Sequence, residues 1–99
     1  MRIISKKYIK EFYEHPLYLD SKNSLESWHK EVLKSTWKNP NEIKEQYKSA
    51  SIVGNNRVVF NIHGNKYRLI IAINYPAQIV FIRFIGTHKQ YDAIDVKEV

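Results

Sequence analysis

His88, Tyr91 and Asp92 stand at i, i+3 and i+4, the spacing that brings three side chains to one side of a helical turn. Imidazole exchanges protons near neutral pH. A phenol can give up a proton or stack on a nucleobase. Upstream, Arg68 and Arg83 interrupt two apolar runs, and the guanidinium fork matches phosphate oxygens. Cutting RNA through its own 2′-hydroxyl needs a base for the hydroxyl proton, cations for the charge gathering on phosphorus and an acid for the leaving 5′-oxygen. Arg68 and Arg83 suit the middle task, His88 the base or acid, and Tyr91 the acid or a stacking surface. Each residue also has a purely structural reading. His88 can be an ordinary loop residue, Tyr91 an anchor for the C-terminus, and Arg83 the partner of a core-edge carboxylate.

The elements that must position these residues follow from alternation. Arg57–His63, Lys66–Asn74 and Ile79–Gly86 are rich in Val, Ile, Phe and Tyr and read as three consecutive strands. Gly64-Asn65 signals a tight hairpin, with glycine supplying the positive φ. That turn pairs His63 with Lys66, Asn61 with Arg68 and Arg57 with Ala72. The connection Tyr75–Gln78 pairs Asn74 with Ile79, Ile70 with Arg83 and Arg68 with Ile85. Period-two alternation then sorts the faces. Val58, Phe60, Ile62, Tyr67, Leu69, Ile71, Ile73, Val80, Ile82 and Phe84 form an apolar face. Arg57, Val59, Asn61, His63, Lys66, Arg68, Ile70, Ala72, Phe81, Arg83 and Ile85 form a basic one. On that register Arg68 and Arg83 lie on a diagonal of adjacent strands, roughly 7 Å apart at Cβ. Arg57, Asn61, Lys66 and the loop residue Lys89 are the expected RNA contacts around them.

The remaining elements are helical. Tyr8, Ile9, Phe12 and Tyr13 recur at helical spacing between Ser5 and His15-Pro16. A polar loop, Leu17 to Lys22, precedes a second helix over Asn23–Lys38. Asn23 and Glu26 resemble a capping box, and Leu25, Trp28, Val32, Leu33 and Trp37 form the stripe to be buried. Asn39-Pro40 with Glu42 starts a shorter helix. Arg2-Ile3-Ile4 reads as an edge strand and Ser49–Asn56 as a polar loop. The expected fold is α+β: two N-terminal helices packed on a small, mainly antiparallel sheet of three to four strands, with the basic face open.

The chain has 99 residues, a formal net charge of +6 and no cysteine. Its length fits a single domain over residues 1–99 with one modest core. Disulfides and thiolate metal sites are excluded, and the scattered histidines lack a ligand-like spacing, so neither metal nor cofactor is expected. No apolar run reaches the ~18 residues of a membrane span, and no signal-peptide pattern opens the chain; the expectation is a cytoplasmic protein without a membrane partner. The positive balance favours a polyanion. The basic face alone is equally compatible with a non-catalytic module that binds RNA or the ribosome. A DNA-binding role finds no helix-turn-helix to support it.

The stretches Val59-Phe60-Asn61-Ile62-His63-Gly64-Asn65-Lys66-Tyr67-Arg68-Leu69 and Ile82-Arg83-Phe84-Ile85-Gly86-Thr87-His88-Lys89-Gln90-Tyr91-Asp92 resemble the HigB-type toxins of the RelE superfamily. The matching patterns are FNI-x-GN-x-YRL and IRF-x-x-TH-x-x-YD, with Trp37 and Asn39-Pro40 extending the likeness upstream. His63 stands where the family more often has glycine, a change expected to be harmless at a turn. The resemblance implies a RelE-like fold and the toxin of a type II toxin–antitoxin pair, an mRNA-cleaving endoribonuclease acting in the ribosomal A site. It implies a HigA-type antitoxin with a helix-turn-helix, and operator DNA contacted only through the antitoxin complex. It makes Arg68 the YRL arginine, Arg83 the IRF arginine, and His88, Tyr91 and Asp92 the TH-x-x-YD residues. Individual proton-transfer roles differ across the superfamily.

Overall fold

The computed structural model describes residues 1–99. A short strand β1 (Arg2–Ile4) leads into helix α1 (Lys6–Glu14), a 3₁₀ segment (Pro16–Ser21) and helix α2 (Lys22–Lys34). Helix α3 (Pro40–Gln46) follows, then β2 (Ser51–Val53), β3 (Arg57–Ile62), β4 (Tyr67–Asn74), β5 (Ile79–Thr87) and a one-turn helix α4 (His88–Asp92). The five strands lie in the order β1-β5-β4-β3-β2, antiparallel except for the β1–β5 edge pair.

The α+β class and the helix layer match expectation, while the sheet is wider than three to four strands. The extra strand, β2, lies within the stretch read as a polar loop. It has only three residues, pairs with β3 alone and leaves Ile52 exposed, so it carries little periodicity of its own. Helix α2 is shorter than its apolar pattern suggested and starts without the Asn23 box: it continues directly from the 3₁₀ segment, which the sequence presented as a loop. It stops at Lys34, where the Ser35 hydroxyl donates to the Glu31 carbonyl. Trp37, read as part of the helix stripe, is buried from the segment beyond it, its indole N–H donating to Gln46 at 3.0 Å. Leu33, also assigned to that stripe, is half exposed. Asn39 caps α3 as expected, accepting from the Glu42 amide.

The core lies between the helices and one sheet face. Phe60 sits at its centre, with Trp28, Trp37 and Tyr47 rings around it at 5.2–6.2 Å between centroids. Truncating such a residue typically costs about 3–5 kcal/mol. The β3–β4 register is the expected one, Arg57 opposite Ala72 and Asn61 opposite Arg68. The hairpin tip spans His63–Lys66, and both His63 and Gly64 take positive φ, 54° and 65°. Histidine at this φ costs about 1 kcal/mol, a cost glycine would not incur.

The β4–β5 register differs from expectation. Asn74–Ile79 and Ile71–Ile82 pair as expected, but Ile70 then faces Phe84 and Arg68 faces Gly86. Arg83 is the extra residue of a β-bulge. The one-residue slip turns Ile85 into the core and moves Phe84 to the other face, reversing both assignments. Arg83 stays on the Arg68 face, its guanidinium 5.6 Å from the ring centroid of Phe81. It stands one residue further from Arg68 along the strand than the expected diagonal, with Phe84 between.

The second face is less open than its composition suggested. Val59, Ile70 and Ala72 are buried there, apart from the main core. The C-terminal segment reaches this side: the Val99 carbonyl accepts two hydrogen bonds from Arg57, at 2.7 and 3.0 Å, and the Lys97 carbonyl accepts one from Asn55.

Candidate active site

The site is built at the end of the sheet where the hairpin tip meets α4. Thr87 and Gln90 form a capping box: the Thr87 hydroxyl accepts from the Gln90 amide, and the Gln90 side chain accepts from the Thr87 amide. The T-x-x-Q spacing was readable in the sequence. Helix α4 is further tied to the hairpin, because the His88 amide donates to the Lys66 carbonyl at 3.3 Å. Gly86 makes the close approach possible. A Cβ there would lie 2.5 Å from the Phe84 ring and 2.7 Å from the Gln90 side-chain oxygen, well inside contact distance.

On this turn His88 Nδ1 lies 3.1 Å from an Asp92 carboxylate oxygen. Both side chains are largely exposed. A carboxylate on Nδ1 makes that nitrogen the donor and leaves Nε2 with a free lone pair, the form a general base needs. The Tyr91 ring lies 6.4 Å from that of His88, edge to face. Its other neighbour is Arg68, whose guanidinium carbon is 5.7 Å from the Tyr91 centroid. Tyr91 thus bridges the imidazole and the buried arginine.

Arg68 is only 8% exposed. Its guanidinium donates to the Asn65 carbonyl, the Asn65 side-chain oxygen and the Tyr67 carbonyl, at 3.0, 3.0 and 3.2 Å. No carboxylate lies within 4.0 Å of it, or of Arg83, which is exposed. The carboxylate pairing left open for Arg83 is therefore not made. Two arginines on one face without a carboxylate partner leave uncompensated positive charge there.

The structure brings together Arg68, Tyr91 and His88, with Asn61 directly opposite Arg68 and Lys89 exposed on α4. Two expected RNA contacts are otherwise engaged. Arg57 is at the far end of β3, about 13 Å from Asn61 along the strand, held by the Val99 and Asn55 carbonyls. Lys66 is not on the basic face. It lies in the hairpin tip, where strand alternation ends, and its ammonium reaches Asp20 in the 3₁₀ segment.

Asp20 was not singled out by the sequence. It accepts from Lys66 and from the Tyr67 hydroxyl, and His63 Nε2 is 3.8 Å away. The hydrogen bond from Lys66, then that from Tyr67, holds its carboxyl below the usual carboxylate range. This cluster fastens the helix layer to the hairpin that carries Asn65 and receives α4. A lowered folded-state value contributes stability above the unfolded value and loses it as pH falls through the folded one. Asp20→Asn is therefore expected to melt below wild type at neutral pH. The gap should be full above about pH 4 and close as pH falls further, through the lowered value. Paired thermal melts across that range check this; a gap unchanged in acid would show that the carboxylate charge is not what holds the joint.

The molecule is thus a small α+β fold that holds an imidazole, a phenol and a buried arginine at one end of its sheet, with a second unpaired arginine at a bulge further along the same face. Residues 21–94 match the family model described as HigB_toxin, RelE-like toxic component of a toxin-antitoxin system. The chain belongs to that family, and an antitoxin is accordingly its partner. It is 29% identical over 94 residues, 93% of this chain and 88% of the relative, to the mRNA interferase toxin HigB of Escherichia coli (strain K12). The same identity and coverage relate it to the mRNA interferase HigB of Escherichia coli O157:H7 and of Shigella flexneri. No helix is long and apolar enough to cross a membrane.

Proposed function

We propose that this toxin is a cytoplasmic endoribonuclease that cleaves mRNA on the ribosome by attack of a 2′-hydroxyl on the adjacent phosphate. The observation that carries this reading is Arg68, a buried guanidinium with only neutral acceptors around it, beside a tyrosine and an imidazole oriented by a carboxylate. An anion at that position supplies the missing counter-charge. His88 Nε2 takes the 2′-hydroxyl proton as the 2′-oxygen bonds to phosphorus. Arg68 and Arg83 stabilise the charge that builds on the phosphoryl oxygens. The P–O5′ bond breaks, the 5′-oxygen leaves with a proton, and a 2′,3′-cyclic phosphate remains. Tyr91 either delivers that proton or stacks on a base; Lys89 and Asn61 hold the flanking RNA. The ribosome orients the message, so proximity supplies part of the rate and a sparse site suffices. The names of the relatives support an mRNA target. A HigA-type helix-turn-helix antitoxin fits the same reading, with operator DNA bound through the toxin–antitoxin complex.

Induced expression in cells lacking an antitoxin should arrest growth and produce cut messages with cyclic phosphate ends, and co-expression of the cognate antitoxin should restore growth. Well-expressed wild-type protein that neither slows growth nor cuts message would end the proposal.

A further inference from the structure

The hydrogen bonds around Arg68 leave a specific part of it free. A guanidinium has five N–H groups in a fixed plane. Asn65 takes the end of the fork, its carbonyl accepting from Nη1 and its side-chain oxygen from Nη2, both at 3.0 Å. The second Nη1 hydrogen goes to the Tyr67 carbonyl at 3.2 Å. Two N–H groups remain, Nε–H and one on Nη2, adjacent on one edge and spaced to meet two oxygens of a single phosphate. The Tyr91 ring packs 5.7 Å from the guanidinium carbon, and burial leaves the side chain little freedom to swing elsewhere.

We infer that Asn65 is a positioning residue: by occupying the end of the Arg68 fork it presents the Nε–Nη2 edge as a two-pronged seat for one phosphodiester. This rests on the ribonuclease reading for its substrate, since it names the atoms that would grip the scissile or a neighbouring phosphate. Asn65 itself touches no RNA in this scheme. It lies at the hairpin tip, two residues after His63, and the tip is anchored from the other side by the hold of Asp20 on Lys66. The seat is therefore set by the turn, and Arg68 need not be reorganised when an anion arrives.

The test is an NMR titration of the full-length protein with inorganic phosphate and with adenosine 3′-monophosphate, following the Arg68 Nε–H resonance. In wild type that resonance should shift on saturation with either probe. In Asn65→Ala the backbone carbonyls at positions 65 and 67 still hold Nη1, but Nη2 loses its acceptor and the guanidinium plane is free to tilt, so affinity for both probes should fall about tenfold, with Tm within a few degrees of wild type. Asn65→Asp keeps both acceptors but adds a counter-charge; the free-protein Nε–H resonance should stay near its wild-type position while probe binding is lost. A wild-type Nε–H resonance that ignores saturating probe overturns the inference, and so does undiminished probe affinity in Asn65→Ala. Failure of the broader reading looks different: phosphate would still seat on Nε–H, but the wild-type protein would cut no message on ribosomes.

Discussion

Arg68→Met should lose mRNA cleavage by on the order of 10²–10³-fold while melting at or above the wild-type temperature. The two halves of that result come from one fact. Arg68 is 8% exposed and has no anion within ion-pairing distance, only three carbonyl-type acceptors. A buried charge without a counter-charge contributes little to folding, and replacing it by an apolar side chain of similar length is often neutral or stabilising. Methionine keeps the volume and removes the desolvation cost. Asn65 loses its partner, but it lies in an exposed turn where water can replace it; the buried Tyr67 carbonyl also loses a donor, a cost set against the desolvation relieved. For a domain of this size each kcal/mol moves Tm by about 4–8 °C, so a rise of a few degrees is the expected ceiling. Arg68→Lys tests the geometry separately: it restores charge but not the planar fork, and should recover little activity. Cleavage on purified ribosomes together with thermal melts decides the matter. Inactivity accompanied by a Tm drop beyond about 5 °C would instead mark Arg68 as a structural residue.

His88→Ala carries the second large effect, a loss of about 10²–10⁴-fold in cleavage, the usual worth of a positioned acid or base. The residue is solvent-exposed and sits at the first position of α4, inside the Thr87–Gln90 capping box, to which its side chain contributes nothing, so the fold should be indifferent to the change. The diagnostic readout is the pH–rate profile: the acid limb of the wild type, where the base becomes protonated, should be absent from the residual rate of the variant. Asp92→Asn should retain the limb with a smaller loss, about tenfold, because the amide no longer holds Nδ1–H as the donor and the other tautomer competes. Toxicity unchanged in His88→Ala would instead favour a protein that works by binding RNA or the ribosome.

Arg83 and its neighbours show where sequence reasoning stopped. The run Ile79–Thr87 is almost continuously apolar around one arginine, and nothing in it announces a bulge. The bulge is chosen by packing: it puts both Ile82 and Ile85 into the core, where strict alternation would have sent Ile85 outward and Phe84 in. The other hairpin has a glycine turn and two strands of matched alternation, and its register was legible to the residue.

What the sequence determined alone was whatever depends on near neighbours: strand alternation, the α3 cap, the arginines on one face, and the one-turn spacing of His88, Tyr91 and Asp92. Tertiary structure decided the contacts between residues far apart in the chain. Asp20 claims Lys66 from 46 positions away, the C-terminal segment claims Arg57 across 42, and β2 exists only because β3 offers it an edge. Side-chain commitments of that kind depend on which groups burial forces together, and local periodicity carries no record of them.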